Sequence, residues 1–84
     1  MDFPVFRRYT NRQSYFRIDS PVVLHEIKLI GKFYQEFRLD AVQLPDRNFV
    51  SDLVHLAVEG AEALSQPEYD LHVDEIRRSH TLMV

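Results

Sequence analysis

The sequence predicts an α+β domain: a small antiparallel sheet, made of an N-terminal hairpin and one long strand, with two to three helices packed on one face. Three observations carry this. Two β-prone runs, 5–9 and 14–18, flank a polar turn. Residues 32–44 alternate with period two, and Ser65-Gln66-Pro67-Glu68 has the form of a capping box ahead of a helical repeat. Strand and helix segments in the order β-β-α-β-α-α pack as helices on a small sheet.

Thr10-Asn11-Arg12-Gln13 is the first turn, with Asn11 suited to the positive φ of a tight hairpin. A turn centred on Asn11-Arg12 sets Tyr9 against Ser14, Arg8 against Tyr15, Arg7 against Phe16, Phe6 against Arg17 and Val5 against Ile18. Val5, Arg7, Tyr9, Ser14, Phe16 and Ile18 then share the face expected to enter the core. Phe6, Arg8, Tyr15 and Arg17 share the other.

Asp19-Ser20-Pro21 reads as a helix start, a capping side chain followed by proline at the first helical position. Val23, Ile27 and Ile30 follow at i, i+4 and i+7, and Gly31 is placed to end the helix. The β-branched residues Val22, Val23, Ile27 and Ile30 argue for a strand over the same stretch, so 22–30 is open between the two. From 32 to 44, Phe33, Gln35, Phe37 and Leu39 fall on one side and Tyr34, Glu36, Arg38 and Asp40 on the other. This is the pattern of a half-exposed strand with its charge facing water.

Leu44-Pro45-Asp46-Arg47-Asn48 breaks that strand as turn chemistry, with Asp46 or Asn48 as a helix cap. Phe49, Val50, Leu53, Val54, Leu56 and Ala57 recur with helical spacing until Gly60. The last helix is expected over 67–78, acidic at its start and with Arg77 and Arg78 at its end, as the macrodipole favours. Its apolar seam is Tyr69, Val73 and Ile76. The domain is expected over 1–78, with 79–84 as a tail ending in the apolar Leu82-Met83-Val84.

Composition narrows the function classes. The 84-residue chain is 45% hydrophobic and 27% charged, which suits one folded domain with a modest core. It has no cysteine, which removes disulfides, thiolate metal sites and cysteine nucleophiles together. The first residues lack the apolar stretch of a secretory signal and no run reaches the ~20 apolar residues of a membrane span, so a cytoplasmic location is expected. Net charge is −3. The first fifty residues hold eight Lys/Arg against six Asp/Glu, and the remainder two against seven. An acidic final third opposes general binding to polyanions.

The segment RRYTNRQSYFR, residues 7–17, interleaves four arginines with three rings, the pairing that single-stranded nucleic acid binders use. In the hairpin register, however, Arg8 stands across from Tyr15 and Arg17 from Phe6. Cross-strand stacking worth about 0.5–1 kcal/mol per pair can then occupy both arginines without a ligand. Arg47 is a further anion-binding candidate, beside the start of the helix after Pro45.

Short stretches, Ser14-Tyr15-Phe16-Arg17-Ile18, His25-Glu26-Ile27, Ile30-Gly31 and Leu44-Pro45-Asp46-Arg47-Asn48-Phe49, resemble a group of short uncharacterised bacterial proteins over roughly residues 14–54. The resemblance implies no activity.

The four histidines, His25, His55, His72 and His80, share no i, i+3 or i, i+4 spacing, so none pairs as metal ligands on a helix do. Asp52 with His55, and His72 with Glu75, read as solvated helix contacts. A general base could be drawn from His55 with Asp52 or Asp40, but no Gly-rich phosphate loop or G-x-S-x-G accompanies it. The expectation is therefore association without catalysis or cofactor, as a homodimer or a protein adaptor, with RNA or single-stranded DNA binding through the hairpin as the alternative.

Overall fold

A computed structural model of the chain describes residues 2–83. Its elements are β1 (Val5–Tyr9), β2 (Ser14–Ser20), β3 (Val23–Ile30), β4 (Phe33–Asp40), α1 (Leu44–Val54), β5 (Ala61–Leu64), α2 (Gln66–Ser79) and β6 (Thr81–Leu82). They form an α+β fold around one mixed sheet, in the order β5-β1-β2-β3-β4-β6. All neighbours are antiparallel except β6, which runs parallel to β4.

The first hairpin pairs in the expected register, Val5 with Ile18, Phe6 with Arg17, Arg7 with Phe16 and Arg8 with Tyr15. Its turn differs in one detail. Arg12, not Asn11, takes the left-handed conformation, at φ 61°. The Asn11 side chain instead accepts the Gln13 N–H at 2.9 Å, an Asx turn that frees it from that role.

Residues 23–30 are strand β3, which settles the alternatives in favour of their β-branched content. Pro21 and Val22 form the tight turn between β2 and β3, where proline presets φ and the Ser20 hydroxyl accepts the Val22 N–H at 3.2 Å. Gly31 is left-handed as expected, at φ 60°, but it serves the two-residue β3–β4 turn. The i, i+4, i+7 spacing misleads here because β3 sends one residue into the core on each face. Leu24 enters one core and Ile27 the other, so no clean alternation is visible.

The helices lie on opposite faces of the sheet, not on one. On one face α2 buries Tyr69, Val73 and Ile76 against Phe6, Tyr15, Ile27, Tyr34 and Leu64. On the other, α1 buries Val50, Leu53 and Val54 against Phe16, Ile18, Leu24 and Ala41. This follows from the hairpin itself, since Tyr15 and Phe16 are both apolar and adjacent strand residues point to opposite faces.

Each helix is bounded by identifiable chemistry. In α2 the capping box forms: the Ser65 hydroxyl accepts the Glu68 N–H at 3.2 Å and the Glu68 carboxylate accepts the Ser65 N–H at 3.0 Å. Ser65→Ala is expected to cost about 1 kcal/mol in urea denaturation. The backbone hydrogen bond from Ser65 also holds the Glu68 pKa below its ordinary value. A depressed folded-state carboxyl favours folding above the ordinary glutamate range, and that contribution is lost as pH falls through the lower folded value. Thermal melts across that acid range are expected to show a smaller drop for Glu68→Gln than for the wild type.

Helix α1 starts earlier than expected, at Leu44, because proline is tolerated in the first turn. Gln43 is its N-cap and makes no side-chain cap bond; Asp46 lies within the first turn. The helix ends at Val54, well before Gly60, in a Schellman arrangement: Ala57 N–H donates to Asp52 O at 2.8 Å and Leu56 N–H to Leu53 O at 3.2 Å. Leu56 occupies the left-handed position at φ 54°. A glycine there avoids about 1–2 kcal/mol of Cβ strain and loses part of it to chain entropy. Leu56→Gly is thus expected to raise the unfolding free energy by about 0.5–1 kcal/mol, read as a higher urea midpoint, and a lower midpoint would refute the account.

Segment 79–84, expected as a tail, contributes β6 to the sheet through Thr81 opposite Phe33 and Leu82 opposite Tyr34. Val84 lies outside the described residues.

Candidate functional site

The hairpin residues proposed from sequence are placed as follows. Phe6 and Tyr15 are buried beneath α2. Phe6 packs on Tyr69 with ring centroids 4.9 Å apart, and Tyr15 on His72 at 5.4 Å. Neither ring offers a face to a base in this fold. Arg8 is across from Tyr15 as expected, but its charge goes to Glu62 on β5, with Nε 2.7 Å and Nη2 2.6 Å from Oε1. Its Nη1 stands 3.3 Å from His72 Nε2. Burial lowers the Arg8 pKa, and the bonds and charge of Glu62 and Tyr15 outweigh it, so the net shift is upward. Arg17 faces Phe6 in register and pairs with Asp19 at 3.0 Å, a carboxylate shared with His25 at 3.0 Å. The expected arginine–ring stacking is therefore replaced by ion pairs, because α2 claims both rings first.

Sheet width explains where unsatisfied surface remains. A helix is about 10 Å across and strands repeat every ~4.8 Å, so one helix covers about two strands. Six strands with one helix per face must leave area uncovered on each side. On the α2 side this remainder is polar. A cleft of about 320 Å³ is lined by Arg17, His25, Glu36, Arg38, Tyr69 and Arg77, among others. Its cations are matched by carboxylates, Arg38 by Asp40 at 3.1 Å and Arg77 by Glu36 at 2.7 Å.

On the α1 side the remainder is mixed, with three large apolar side chains set among Glu26, Lys28 and Gln35. Ile30, Phe33 and Phe37 are 39%, 39% and 46% exposed, three large side chains on adjoining strands. They point to the face opposite Tyr34, which is buried under α2. The expected orientation of β4 is thus reversed at this end: the side with phenylalanines faces outward and Tyr34 faces inward. The reason is reach, since α1 has eleven residues, about 16 Å at 1.5 Å each, and contacts the Leu39 end of β4 only.

Arg47 stands apart from the hairpin. Its Nε donates to Ala41 O at 3.2 Å, and it makes no ion pair among the described residues. The pairs considered for catalysis or metal binding are not assembled. His55 Nδ1 lies 2.8 Å from Ser51 O on its own helix, and Asp40 is engaged by Arg38. His72 turns toward Tyr15 and Arg8. Among the described residues no group of three His, Asp or Glu comes together, and no helix is long and apolar enough to cross a membrane.

No known protein family, curated protein or solved structure matches this chain. Function therefore rests on the geometry alone. Sequence reasoning overlooked the outward Ile30, Phe33 and Phe37, although their spacing on an alternating strand was visible. Arg7, one of the hairpin arginines, also turns out to tie β1 to α1, through partners 46 and 47 residues away that the sequence does not bring together.

Proposed function

We propose that the protein acts by self-association, a second copy covering the exposed side of β3 and β4 that α1 leaves open. The carrying observation is the difference between the two uncovered areas. The area on the α2 side is internally paired, while the area beside α1 presents Ile30, Phe33 and Phe37 to water around Glu26, Lys28 and Gln35. Clustered large apolar side chains of this kind mark interaction surfaces.

A two-fold contact brings a patch onto itself, so the patch must carry its own charge complement. Lys28 and Glu26 lie on this same face of β3, two residues apart. Glu26 is oriented by the Ser14 hydroxyl at 2.7 Å. A two-fold mate can set Lys28 against Glu26 of the second copy while the phenylalanines meet at the centre.

Sedimentation equilibrium of the wild type is expected to show dimers in the micromolar range. Phe37→Glu is expected to raise the dissociation constant at least about 30-fold, the effect of losing one central anchor. A wild type that remains monomeric at high micromolar concentration overturns self-association.

A further inference from the structure

We propose that the cavity between α1 and the β2–β3 turn binds a small monocarboxylate with an apolar body. The cavity, open to solvent on one side, has a volume of about 530 Å³, within the roughly 300–1,000 Å³ range of small-molecule sites. Phe3, Val22, Val50 and Val54 supply apolar walls, and Val50 and Val54 are themselves core residues that fix the floor. Polar groups enter from one ridge of α1: Arg47, Asn48, Ser51 and His55.

The charge of the lining selects the ligand. The chain has thirteen Asp and Glu, yet none lines this cavity. Arg8, Arg17, Arg38 and Arg77 each face a carboxylate. Arg47 does not, and its Nε bond to the Ala41 carbonyl holds the guanidinium by one edge. Its Nη groups therefore remain for an incoming carboxylate, which a guanidinium fork binds by paired charge-assisted hydrogen bonds. A smaller cleft of about 230 Å³ on the other side of Arg47 includes Asp40, but that carboxylate is taken by Arg38.

Length is set by the helix. Arg47 and His55 are eight residues apart, about 12 Å along α1. The His55 Nδ1 contact with its own helix carbonyl makes that nitrogen the donor and leaves Nε2 as an acceptor in the neutral ring. The anion is thus drawn to the Arg47 end, and the apolar body runs toward Val54.

Amide-resolved NMR titration with octanoate, with octan-1-ol as the uncharged match, tests the site. Saturable octanoate shifts are expected at Phe3, Val22, Arg47, Val50 and Val54, with octan-1-ol at least about tenfold weaker. Arg47→Gln, an exposed position, is expected to weaken octanoate about tenfold while leaving octan-1-ol unchanged. Ser51→Trp, which fills the cavity from an exposed position, is expected to abolish both, with melting curves confirming that each variant is folded. The proposal is overturned by the absence of saturable octanoate shifts at millimolar concentration, by equal affinity for the alcohol, by an Arg47→Gln variant that binds normally, or by shifts confined to Phe33 and Phe37.

Discussion

Phe16→Ala is expected to destabilise the domain by about 3–5 kcal/mol, the range for deleting a large aromatic ring from a core. Phe16 is fully buried on β2, next to the middle of the sheet, and belongs to the core beneath α1. Its ring meets Tyr9 edge-on at 5.0 Å and Phe49 at 6.2 Å, so alanine removes both aromatic contacts and opens a cavity that helix and sheet cannot close together. Native stability is of the order of 0.05–0.15 kcal/mol per residue, or roughly 4–13 kcal/mol for a chain of this length. The variant should therefore lose about a quarter or more of the native stability, up to all of it at the low end of that range. Urea denaturation measures this directly, and a loss below about 1.5 kcal/mol would show that the α1 layer does not pack as described.

Arg7→Met is expected to cost about 2–4 kcal/mol, although the residue lies on a strand and has no carboxylate partner. Its Nε donates to Leu53 O at 2.9 Å, Nη2 to Val54 O at 2.7 Å and Nη1 to Phe6 O at 2.9 Å. Helix α1 has no basic residue in its own last turn, so β1 supplies the cation that the negative end of the helix favours. Bonds from a charged donor are worth about 1.5–3 kcal/mol, and truncation takes the guanidinium away from the Leu53 and Val54 carbonyls, of which Leu53 O keeps its bond from the Leu56 N–H. Burial lowers the Arg7 pKa, yet guanidinium remains charged throughout the working pH range. Methionine keeps most of the alkyl packing, so the measured loss isolates the hydrogen bonds. Arg7→Lys should recover only part of it, because one ammonium cannot reproduce the planar fork. Melting temperatures equal to the wild type for Arg7→Met would remove Arg7 as the tie between sheet and helix.

Both effects bear on the proposed surfaces. Phe16 and Arg7 hold α1 where it is, and the position of α1 decides which part of the sheet stays bare and forms one wall of the cavity. The variants that probe those surfaces, Phe37→Glu and Arg47→Gln, alter exposed residues and should leave the α1 core intact.

Local chemistry explains which elements were legible. The hairpin register followed from one polar turn between two runs, because β-pairing next to a short turn leaves little choice of partner. The start of α2 followed from a capping box that needs only four consecutive residues, and its seam of Tyr69, Val73 and Ile76 is the face that packs. Strand β3 is ambiguous in the sequence because it places Leu24 in one core and Ile27 in the other, which breaks its alternation. On β4 the charges of Glu36, Arg38 and Asp40 do face water, but alternation does not say that α2 will cover Tyr34 on that side while Phe33 and Phe37 stay exposed on the other.

The proposed sites were less legible still. Arg8 and Arg17 were correctly placed opposite rings, and only the arrival of α2 determined that those rings would be buried and the arginines given to Glu62 and Asp19. Arg47 was singled out for its place near a helix start, but its lack of a carboxylate partner depends on which acids the fold brings near it.

By itself, then, the sequence determined the α+β class, the first hairpin and its register, and the capped final helix. These depend on interactions between residues close in the chain. The tertiary structure decided that the helices take opposite faces, that Arg7 closes α1, that Phe33 and Phe37 stay outside and that Arg47 borders an acid-free cavity. Each depends on contacts between distant segments, where two short helices must cover a sheet too wide for them.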